Sequence, residues 1–315
     1  MAKSYDFVII GAGIVGLSVA RELNKRHPNS SIVILEKELD IGRHASGRNS
    51  GVMHSGVYYG STTLKAKVCS LGAARMRDFA DEHEISYKKV GKVIIAGSAE
   101  DLPTLDTLLT NAKNNGVKAE RLDVQGVKEI EPYASAYEAG IYCPDTAVID
   151  SKVIINKLRE ILEEQGVEFV YGAPIRTARP NQCLVETAQG KFSYEFLYNC
   201  AGAGADLIAK MFGHAGDYTL VPFKGIYYKL RVDRRHLVNG NIYPVPNVEL
   251  PFLGVHLTKA INGEVYLGPT AIPALGRENY GIFKGIKLSE SFTIGRQLIS
   301  MYKANRENFR RLAHE

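Results

Sequence analysis

The sequence contains few cysteines, and their spacing forms no binding pattern. Cys69, Cys143, Cys183 and Cys200 lie far apart, without a CxxC pair or a zinc-binding arrangement. We therefore expect reduced thiols, as in a cytoplasmic protein, and no metal site. No apolar run reaches the roughly 18 residues that would predict a membrane-spanning helix.

The chain also lacks a strong excess of either charge. It has 39 Lys and Arg against 34 Asp and Glu, a net charge of +5. The basic residues are spread out and form no basic and aromatic stripe, so nucleic-acid binding is not predicted. A peripheral contact with an anionic membrane surface is compatible with this charge. At 315 residues the chain is long enough for two domains.

The amino-terminal segment has the pattern of a βαβ unit. Two short apolar runs, at residues 5–10 and 31–36, flank a segment with helical spacing of apolar residues. Directly after the first run, Gly11, Gly13 and Gly16 form GxGxxG. Such glycines allow a tight turn, close approach of a pyrophosphate and close packing of helix on strand. This pattern predicts a dinucleotide site on a parallel sheet.

The identity of the dinucleotide depends on two further segments. Glu36 stands 20 residues after Gly16, where its carboxylate can accept hydrogen bonds from a ribose. These features fit both NAD and FAD. The segment NCAGAGAD at residues 199–206 favours FAD, because FAD enzymes of the two-dinucleotide-binding type commonly have a second strand that enters a small-residue turn. A turn that serves packing alone is the alternative.

Several other segments have clear secondary-structure patterns. Helical spacing predicts helices over residues 71–84, 101–115 and 151–166. A β-rich region begins near residue 216, with turn signals at Asn239-Gly240 and Asn262-Gly263. These signals predict an antiparallel sheet.

The predicted fold is α/β with two interleaved domains. A Rossmann-like FAD-binding domain takes residues 1–85 and 150–215. An α+β substrate domain, built on an antiparallel sheet, takes residues 86–149 and 216–290. Residues 291–315 are predicted to form a carboxy-terminal helix with a basic second half.

Motifs along nearly the whole chain resemble one flavoprotein family. They are VIIGAGIVGLSVARELN, ILEKE, SGRNSGVMHSGVYY, LYNCAGAGAD, FKGIYYKL, YPVP followed by PFLGVH, and VYLGPTA followed by RENY. The chain resembles the FAD-dependent L-2-hydroxyglutarate oxidases and dehydrogenases, which are D-amino-acid-oxidase-like flavoproteins related to glycerol-3-phosphate oxidases. NSGVMHSG, PFLGVH and GPTA are the specific parts, since many families share the glycine fingerprint.

The resemblance implies a reaction and its partners. L-2-hydroxyglutarate, a 2-hydroxy dicarboxylate, would be oxidised to 2-oxoglutarate by hydride transfer to flavin N5. Electrons would pass to oxygen or to a membrane quinone, in the cytoplasm or at the periphery of the inner membrane. Two alternatives stay open: oxidation of glycerol 3-phosphate or an amino acid by the same fold, and a non-catalytic flavin-binding protein.

The resemblance also implies site residues. His54 would be the base that takes the hydroxyl proton, so flavin reduction is expected to fall as the pH drops through about 6.5. Lys224 is the first candidate to bind a substrate carboxylate. The other substrate candidates, each with a structural role as its alternative, are Tyr58, Tyr59, His256, Thr270 and Arg277. The matching cofactor positions are Gly11, Ala12, Gly13, Ile14, Val15, Gly16, Glu36, Lys37, Ser46, Asn49, Ser50, Gly51, Ala201 and Gly202.

The resemblance further implies a carboxy-terminal strand and helix that return to the FAD and stabilise the reduced flavin. No counterpart of this segment occurs before Glu315. From the resemblance we therefore expect a partly uncovered flavin, weaker FAD binding and slow turnover.

Overall fold

The computed structural model describes residues 2–246, 254–305 and 308–313. The strands are β1 (Lys3–Ile10), β2 (Ile32–Leu35), β3 (Val52–Met53), β4 (Tyr87–Lys89), β5 (Lys92–Ile95), β6 (Glu120–Asp123), β7 (Ala139–Cys143), β8 (Ala147–Ile149), β9 (Glu168–Val170), β10 (Ile175–Arg179), β11 (Leu184–Thr187), β12 (Gly190–Asn199), β13 (Phe223–Lys229), β14 (Asn241–Pro244), β15 (His256–Lys259) and β16 (Val265–Pro273). The helices are α1 (Ile14–Arg26), α2 (Leu64–Glu82), α3 (Leu102–Asn114), α4 (Val124–Ile130), α5 (Ser151–Glu164), α6 (Ala205–Met211), α7 (Leu288–Ala304) and α8 (Phe309–Leu312).

The chain forms two compact units, each assembled from separated segments. Unit 1 contains Met1–Asn49, Ser151–Pro222 and Pro273–His314, and unit 2 contains Ser50–Asp150 and Phe223–Ile272. The α/β fold with interleaved domains is confirmed.

Unit 1 is built on a six-stranded sheet in the order β10-β11-β12-β1-β2-β9. β1 pairs in parallel with both β12 and β2, and β2 pairs in parallel with β9. The apolar end of β1 is buried, and α1 buries Leu17, Ala20 and Leu23 at helical spacing. This arrangement is the predicted βαβ unit, and it places the glycine turn at the carboxyl end of a central strand.

Unit 2 contains a seven-stranded sheet, β13-β16-β15-β14-β5-β7-β6, and a three-stranded sheet, β3-β8-β4. The prediction of an antiparallel sheet holds for most pairs, but β14 and β5 are parallel. The turn signal at Asn262-Gly263 does join the antiparallel strands β15 and β16. Asn239-Gly240 instead leads into parallel β14, and its amides donate to the carboxylate of Glu131.

The observed unit boundaries differ from the predicted domain boundaries. The first lies at 49/50 rather than 85/86, because β3 pairs with β8 and α2 contacts the loop after β3. Residues 273–290 belong to unit 1 rather than to the substrate domain. The predicted carboxy-terminal helix is divided, since α7 ends before Asn305, which has a left-handed φ of +47°.

Two further observations bear on the sequence predictions. The strand that enters the small-residue turn is β12, which runs without a break from Gly190 to Asn199. The four cysteines are free thiols. Among the described residues, no helix is both long enough and apolar enough to cross a membrane.

Candidate functional site

The GxGxxG turn joins β1 to α1, and its glycines are not equivalent. Gly11 has a φ of +104°, and a Cβ there would lie 2.5 Å from the carbonyl oxygen of Cys200. A Cβ on Gly16 would lie 2.0 Å from the carbonyl oxygen of Gly11. Gly13 has an ordinary φ of −81°, and its Cβ would meet only Ser46 Oγ, at 3.1 Å. The turn itself requires Gly11 and Gly16, whereas Gly13 leaves space for a close ligand.

The amino terminus of α1 is suited to a phosphate. Its first turn contains no acidic side chain, and Gly13 supplies no side-chain cap. Ser46 Oγ accepts a hydrogen bond from the amide of Ile14 at 2.9 Å, and Val15 is exposed. A helix amino terminus presents amide donors and a partial positive charge to an anion. Ser46 therefore lies beside the predicted pyrophosphate position.

Glu36 has a second role that the sequence pattern did not reveal. The parallel register of β1 and β2 places Ile10 beside Leu35. Glu36, the next residue, consequently accepts a hydrogen bond from the amide of Ala12 through Oε2 at 2.7 Å. Its Oε1 accepts one from the amide of Glu38 at 2.9 Å. Each oxygen keeps a lone pair for a ribose hydroxyl. The carboxylate thus holds the glycine turn in place as well.

The end of β12 lies against the same turn. The amide of Cys200 donates to the carbonyl of Ile10 at 2.9 Å, and Gly202 has a φ of +55°. The amide of Ala201 donates to Asn199 Oδ1 at 3.3 Å. The structure therefore brings Ala201 and Gly202 next to the glycine turn, where the NCAGAGAD segment was predicted to lie.

Lys37 lies in an ion-pair network of unit 1. It pairs with Glu278 and lies 3.7 Å from Glu38 Oε1, which also contacts His44 Nε2 at 2.9 Å. Ligand atoms of Glu38, His44 and Glu278 lie within 4.8 Å of one another, a spacing that could hold a metal ion. The ammonium of Lys37 pairs with both carboxylates and offsets one of their two negative charges.

The remaining cofactor candidates fall on both sides of the boundary at 49/50. Asn49, in unit 1, donates through Nδ2 to the carbonyls of residues 45 and 46. Ser50 and Gly51 belong to unit 2. Gly51 has a φ of +68°, and a Cβ there would lie 2.1 Å from the carbonyl oxygen of Ile149. Contacts of these residues with a cofactor stay predictions.

In unit 2, one face of the seven-stranded sheet carries polar and aromatic side chains. Ile242 pairs with Leu257, so Tyr243 lies opposite His256, and the two rings stack with centroids 4.0 Å apart. Lys92 pairs with Asn241 and therefore shares the face of Tyr243, since side chains two residues apart point the same way.

The loop after β3 completes this arrangement. The ring of His54 approaches Tyr243 edge-on, with centroids 6.4 Å apart, and the ring of Tyr58 also lies 6.4 Å from that of Tyr243. The thiol of Cys69 donates to the backbone carbonyl of His54 at 3.4 Å. We call His54, Tyr58, Lys92, Tyr243 and His256 the lysine–aromatic cluster.

His54 is an uncharged imidazole in this cluster. Burial, the positive charge of Lys92 and that of His256 lower the pKa of His54 from 6.5 to about 4. The pKa of His256 is also lowered, chiefly by burial. His54 is therefore able to accept a proton at neutral pH. The pH near 6.5 expected from the sequence is too high for its titration.

Lys92 is the residue that sequence analysis missed. Its side chain is 1% exposed, and Nζ lies 4.3 Å from the ring centroid of Tyr58 and 5.5 Å from that of Tyr243. Within the described residues, neither Lys92 Nζ nor the Tyr58 hydroxyl has a hydrogen-bond partner. Burial lowers the pKa of Lys92 to about 8. The only sequence signal was a lysine beginning an apolar strand, and a lysine there is usually exposed.

Three more substrate candidates belong to unit 2. Lys224 is a partly buried residue of β13, and Thr270 is an exposed residue of β16. Tyr59 is partly buried, and the ammonium of Lys65 lies 6.0 Å from its ring centroid. Their contacts with a substrate stay predictions.

Arg277 belongs to unit 1, whereas the other substrate candidates belong to unit 2. Its guanidinium pairs with both carboxylate oxygens of Asp206, with Nη2 to Oδ2 at 2.9 Å, and its Nε lies 3.0 Å from Glu290 Oε1. It also donates to the carbonyl of Ala203. These partners occupy its donors, so the ion-pair alternative describes Arg277 better than a substrate contact does.

Comparison with known proteins identifies the family. The family model described as FAD dependent oxidoreductase matches residues 6–311. The chain belongs to this family. FAD is thus the cofactor indicated by the family, and unit 1 fits its dinucleotide part: Gly13 leaves space for a pyrophosphate, the amino terminus of α1 faces that space, and Glu36 lies at the end of β2.

Curated relatives of this chain share a name. L-2-hydroxyglutarate dehydrogenase of Caenorhabditis briggsae is 38% identical over 288 residues, covering 89% of this chain and 66% of the relative. The human mitochondrial L-2-hydroxyglutarate dehydrogenase is 39% identical over 296 residues, covering 89% and 64%. The chain therefore spans about two thirds of the length of these relatives.

A solved structure supports the fold. Dithionite-reduced L-α-glycerophosphate oxidase of Mycoplasma pneumoniae, with FAD bound, matches with a TM-score of 0.77. The identity is 21%, and the match covers 88% of this chain and 73% of that one. At this identity the likeness establishes the shared fold alone.

Proposed function

We propose that the chain is part of an L-2-hydroxyglutarate dehydrogenase, which oxidises L-2-hydroxyglutarate to 2-oxoglutarate. Support comes from relatives of that name at 38–39% identity over 89% of the chain. The structural observation that carries the proposal is His54, an imidazole kept uncharged within the lysine–aromatic cluster. A hydroxy acid gives up its α-hydrogen as hydride readily only if its hydroxyl proton is also removed.

In the proposed mechanism, the protein holds the substrate and moves its proton. His54 takes the proton of the substrate hydroxyl on its imidazole, so that a carbonyl forms at the α-carbon. When bound, FAD supplies the acceptor for the hydride at flavin N5. General-base assistance of this kind contributes about a hundred- to ten-thousandfold to a rate.

In this proposal, residues of unit 2 bind the two negatively charged carboxylates of the substrate. Lys224 is the leading candidate to bind one of the two substrate carboxylates, because a charge-assisted ammonium–carboxylate hydrogen bond is stronger than a neutral one. Tyr58, Tyr59, His256 and Thr270 are the candidates for additional donors. His256 is held by the stack with Tyr243 and by the contact of its Nδ1 with the Gly254 carbonyl at 2.9 Å.

The electron acceptor and location are proposed on the family resemblance. With FAD bound, the proposed electron acceptor would be oxygen or a membrane quinone. The proposed location is the cytoplasm, with a peripheral contact to the inner membrane when the acceptor is a quinone.

Anaerobic reduction of bound flavin tests this function. The FAD-containing protein is mixed with L-2-hydroxyglutarate, D-2-hydroxyglutarate, glycerol 3-phosphate or glycine, and bleaching of the flavin absorbance is followed. We expect fast bleaching with L-2-hydroxyglutarate alone. Faster bleaching with glycerol 3-phosphate or glycine would replace the substrate assignment, and retention of FAD without bleaching by any of them would indicate a non-catalytic flavin protein.

A further inference from the structure

Lys92 is an uncompensated charge in the interior of unit 2. A buried ammonium without hydrogen-bond acceptors is costly to the folded state. Its surroundings offer ring faces instead: the Tyr58 centroid lies 4.3 Å and the Tyr243 centroid 5.5 Å from Nζ. Cation–π contacts offset part of the desolvation cost but do not replace a carboxylate. A residue that weakens the fold in this way is a candidate for a functional role.

The sheet fixes Lys92 relative to the histidines. Lys92 pairs with Asn241, and Tyr243, two residues farther along β14, stacks on His256 and meets the edge of His54. Tyr243 thus contacts the ammonium and both imidazoles. Because Tyr243 is only 1% exposed, little water can screen the charge of Lys92 from His54.

Other titratable groups around Lys92 and His54 carry no opposing charge. Burial raises the pKa values of the surrounding tyrosines and cysteines, so these groups stay uncharged at neutral pH. They are Tyr58 and Tyr59 on the loop after β3, Cys69 on α2, Cys143 on β7 and Tyr243 on β14. His256 on β15 is the remaining titratable neighbour, and its pKa is lowered.

We infer that Lys92 is a positioning residue for His54: its buried positive charge, held against Tyr58 and Tyr243, opposes protonation of His54 and keeps that imidazole able to take the substrate proton. The inference rests on the proposed role of His54 as base. Lys92 acts through space and through Tyr243, with no proton transfer of its own.

The direct test is a titration of His54 that needs no turnover. Imidazole carbon signals of isotope-labelled, FAD-containing protein are followed by NMR from about pH 4 to 9, and His54→Asn assigns the signal. Wild-type His54 is expected to titrate well below its ordinary pKa of about 6.5. In Lys92→Met its proton affinity should rise about tenfold, equivalent to one pH unit, whereas Lys92→Arg should retain the low value.

Lys89→Met is the matched control. Lys89 lies on β4 and forms an exposed ion pair with Asp145 at 3.1 Å. This change removes a lysine charge outside the cluster and should leave the His54 titration unchanged. An unchanged His54 titration in Lys92→Met, or equal shifts in Lys92→Met and Lys92→Arg, would overturn the inference.

Stability separates this role from an ordinary structural one. Lys92→Met replaces a buried unpaired charge with an apolar side chain of similar length, so its melting temperature should equal or exceed that of the wild type. A large loss of stability would assign Lys92 to the fold alone. If Lys92→Met does not fold, Lys92→Gln, which also removes the charge, takes its place in the titration, and an unchanged His54 midpoint in that variant overturns the inference.

The test of the role of Lys92 can be distinguished from the test of the proposed substrate. Failure of L-2-hydroxyglutarate to reduce the flavin, together with the predicted His54 shifts, removes the substrate assignment and supports the electrostatic role of Lys92. Fast reduction together with an unshifted His54 in Lys92→Met removes the role of Lys92 alone.

Discussion

The two units differ in how their functional polar groups are satisfied. In unit 1, Glu36 accepts two backbone amides, Ser46 accepts one, and Arg277 pairs with two acidic side chains. In unit 2, Lys92 Nζ and the Tyr58 hydroxyl are buried without partners among the described residues. The polar groups of the nucleotide site already have protein partners, so the site is preformed for a ligand. The lysine–aromatic cluster instead contains a buried charge without a partner, which destabilises the fold and is typical of a reacting site.

The largest expected effect comes from closing the space at Gly13. Its φ is ordinary, and an added Cβ would lie 3.1 Å from Ser46 Oγ, a side-chain atom that can shift by a few tenths of an ångström without rebuilding the turn. Gly13→Val should therefore fold but lose most of its FAD, since the valine occupies the position of the pyrophosphate. The measurement is the flavin-to-protein absorbance ratio after purification.

Gly72→Val is the control for this change, because a Cβ on Gly72, in α2, meets nothing within 4 Å. It should retain FAD at the wild-type ratio. A full complement of FAD in Gly13→Val would show that the dinucleotide site is placed wrongly.

Removal of the lysine proposed to bind a substrate carboxylate should have a smaller effect, on substrate binding. Lys224→Ala should weaken substrate binding by about 1.5–3 kcal/mol, or roughly ten- to a hundredfold in KM, if its ammonium binds a carboxylate. Lys229→Ala, on the same strand, is the control, because Lys229 pairs with Glu264. An unchanged KM in Lys224→Ala would transfer carboxylate binding to the tyrosines or His256.

The smallest predicted effect is on acid stability. The folded-state pKa of His54, about 4, lies below its unfolded value near 6.5, so the unfolded chain binds more protons between these values. This group's contribution to the free energy of unfolding is present above pH 6.5 and is lost as the pH falls toward 4. Between pH 7 and 5.5 the loss should be about 1 kcal/mol.

Chemical denaturation at the two pH values measures this loss. His54→Asn should show a pH dependence weaker by that amount. Equal pH dependence in the variant and the wild type would mean that His54 is not desolvated in unit 2.

The same contrast explains what the sequence could predict. Most of the nucleotide site is local: Gly11 to Gly16 and Glu36 follow from one βαβ pattern. A separate small-residue segment predicts the turn after β12, and the structure brings that turn against the glycine turn. The lysine–aromatic cluster contains residues of β5, β14, β15 and the loop after β3. The parallel pairing of β5 with β14 places Lys92 on the same face as Tyr243. No spacing rule encodes that pairing, so Lys92 was missed and the Asn239-Gly240 turn was misassigned.

Charge partners were equally hidden from the sequence. Arg277 resembled a substrate cation as an isolated residue in the RENY motif, and only the fold of unit 1 places Asp206 and Glu290 beside it. The low pKa of His54 likewise depends on burial and on Lys92, neither of which its neighbours in the chain specify.

The central claim is that His54 is the base of the reductive step. The most direct measurement is anaerobic stopped-flow reduction of bound FAD by L-2-hydroxyglutarate, comparing His54→Ala with the wild type at equal flavin content. If His54 is the base, His54→Ala should retain FAD and bind substrate, but reduce its flavin about a hundred- to ten-thousandfold more slowly. Reduction of the flavin in His54→Ala at the wild-type rate would contradict the account and leave His54 as a structural residue of the loop.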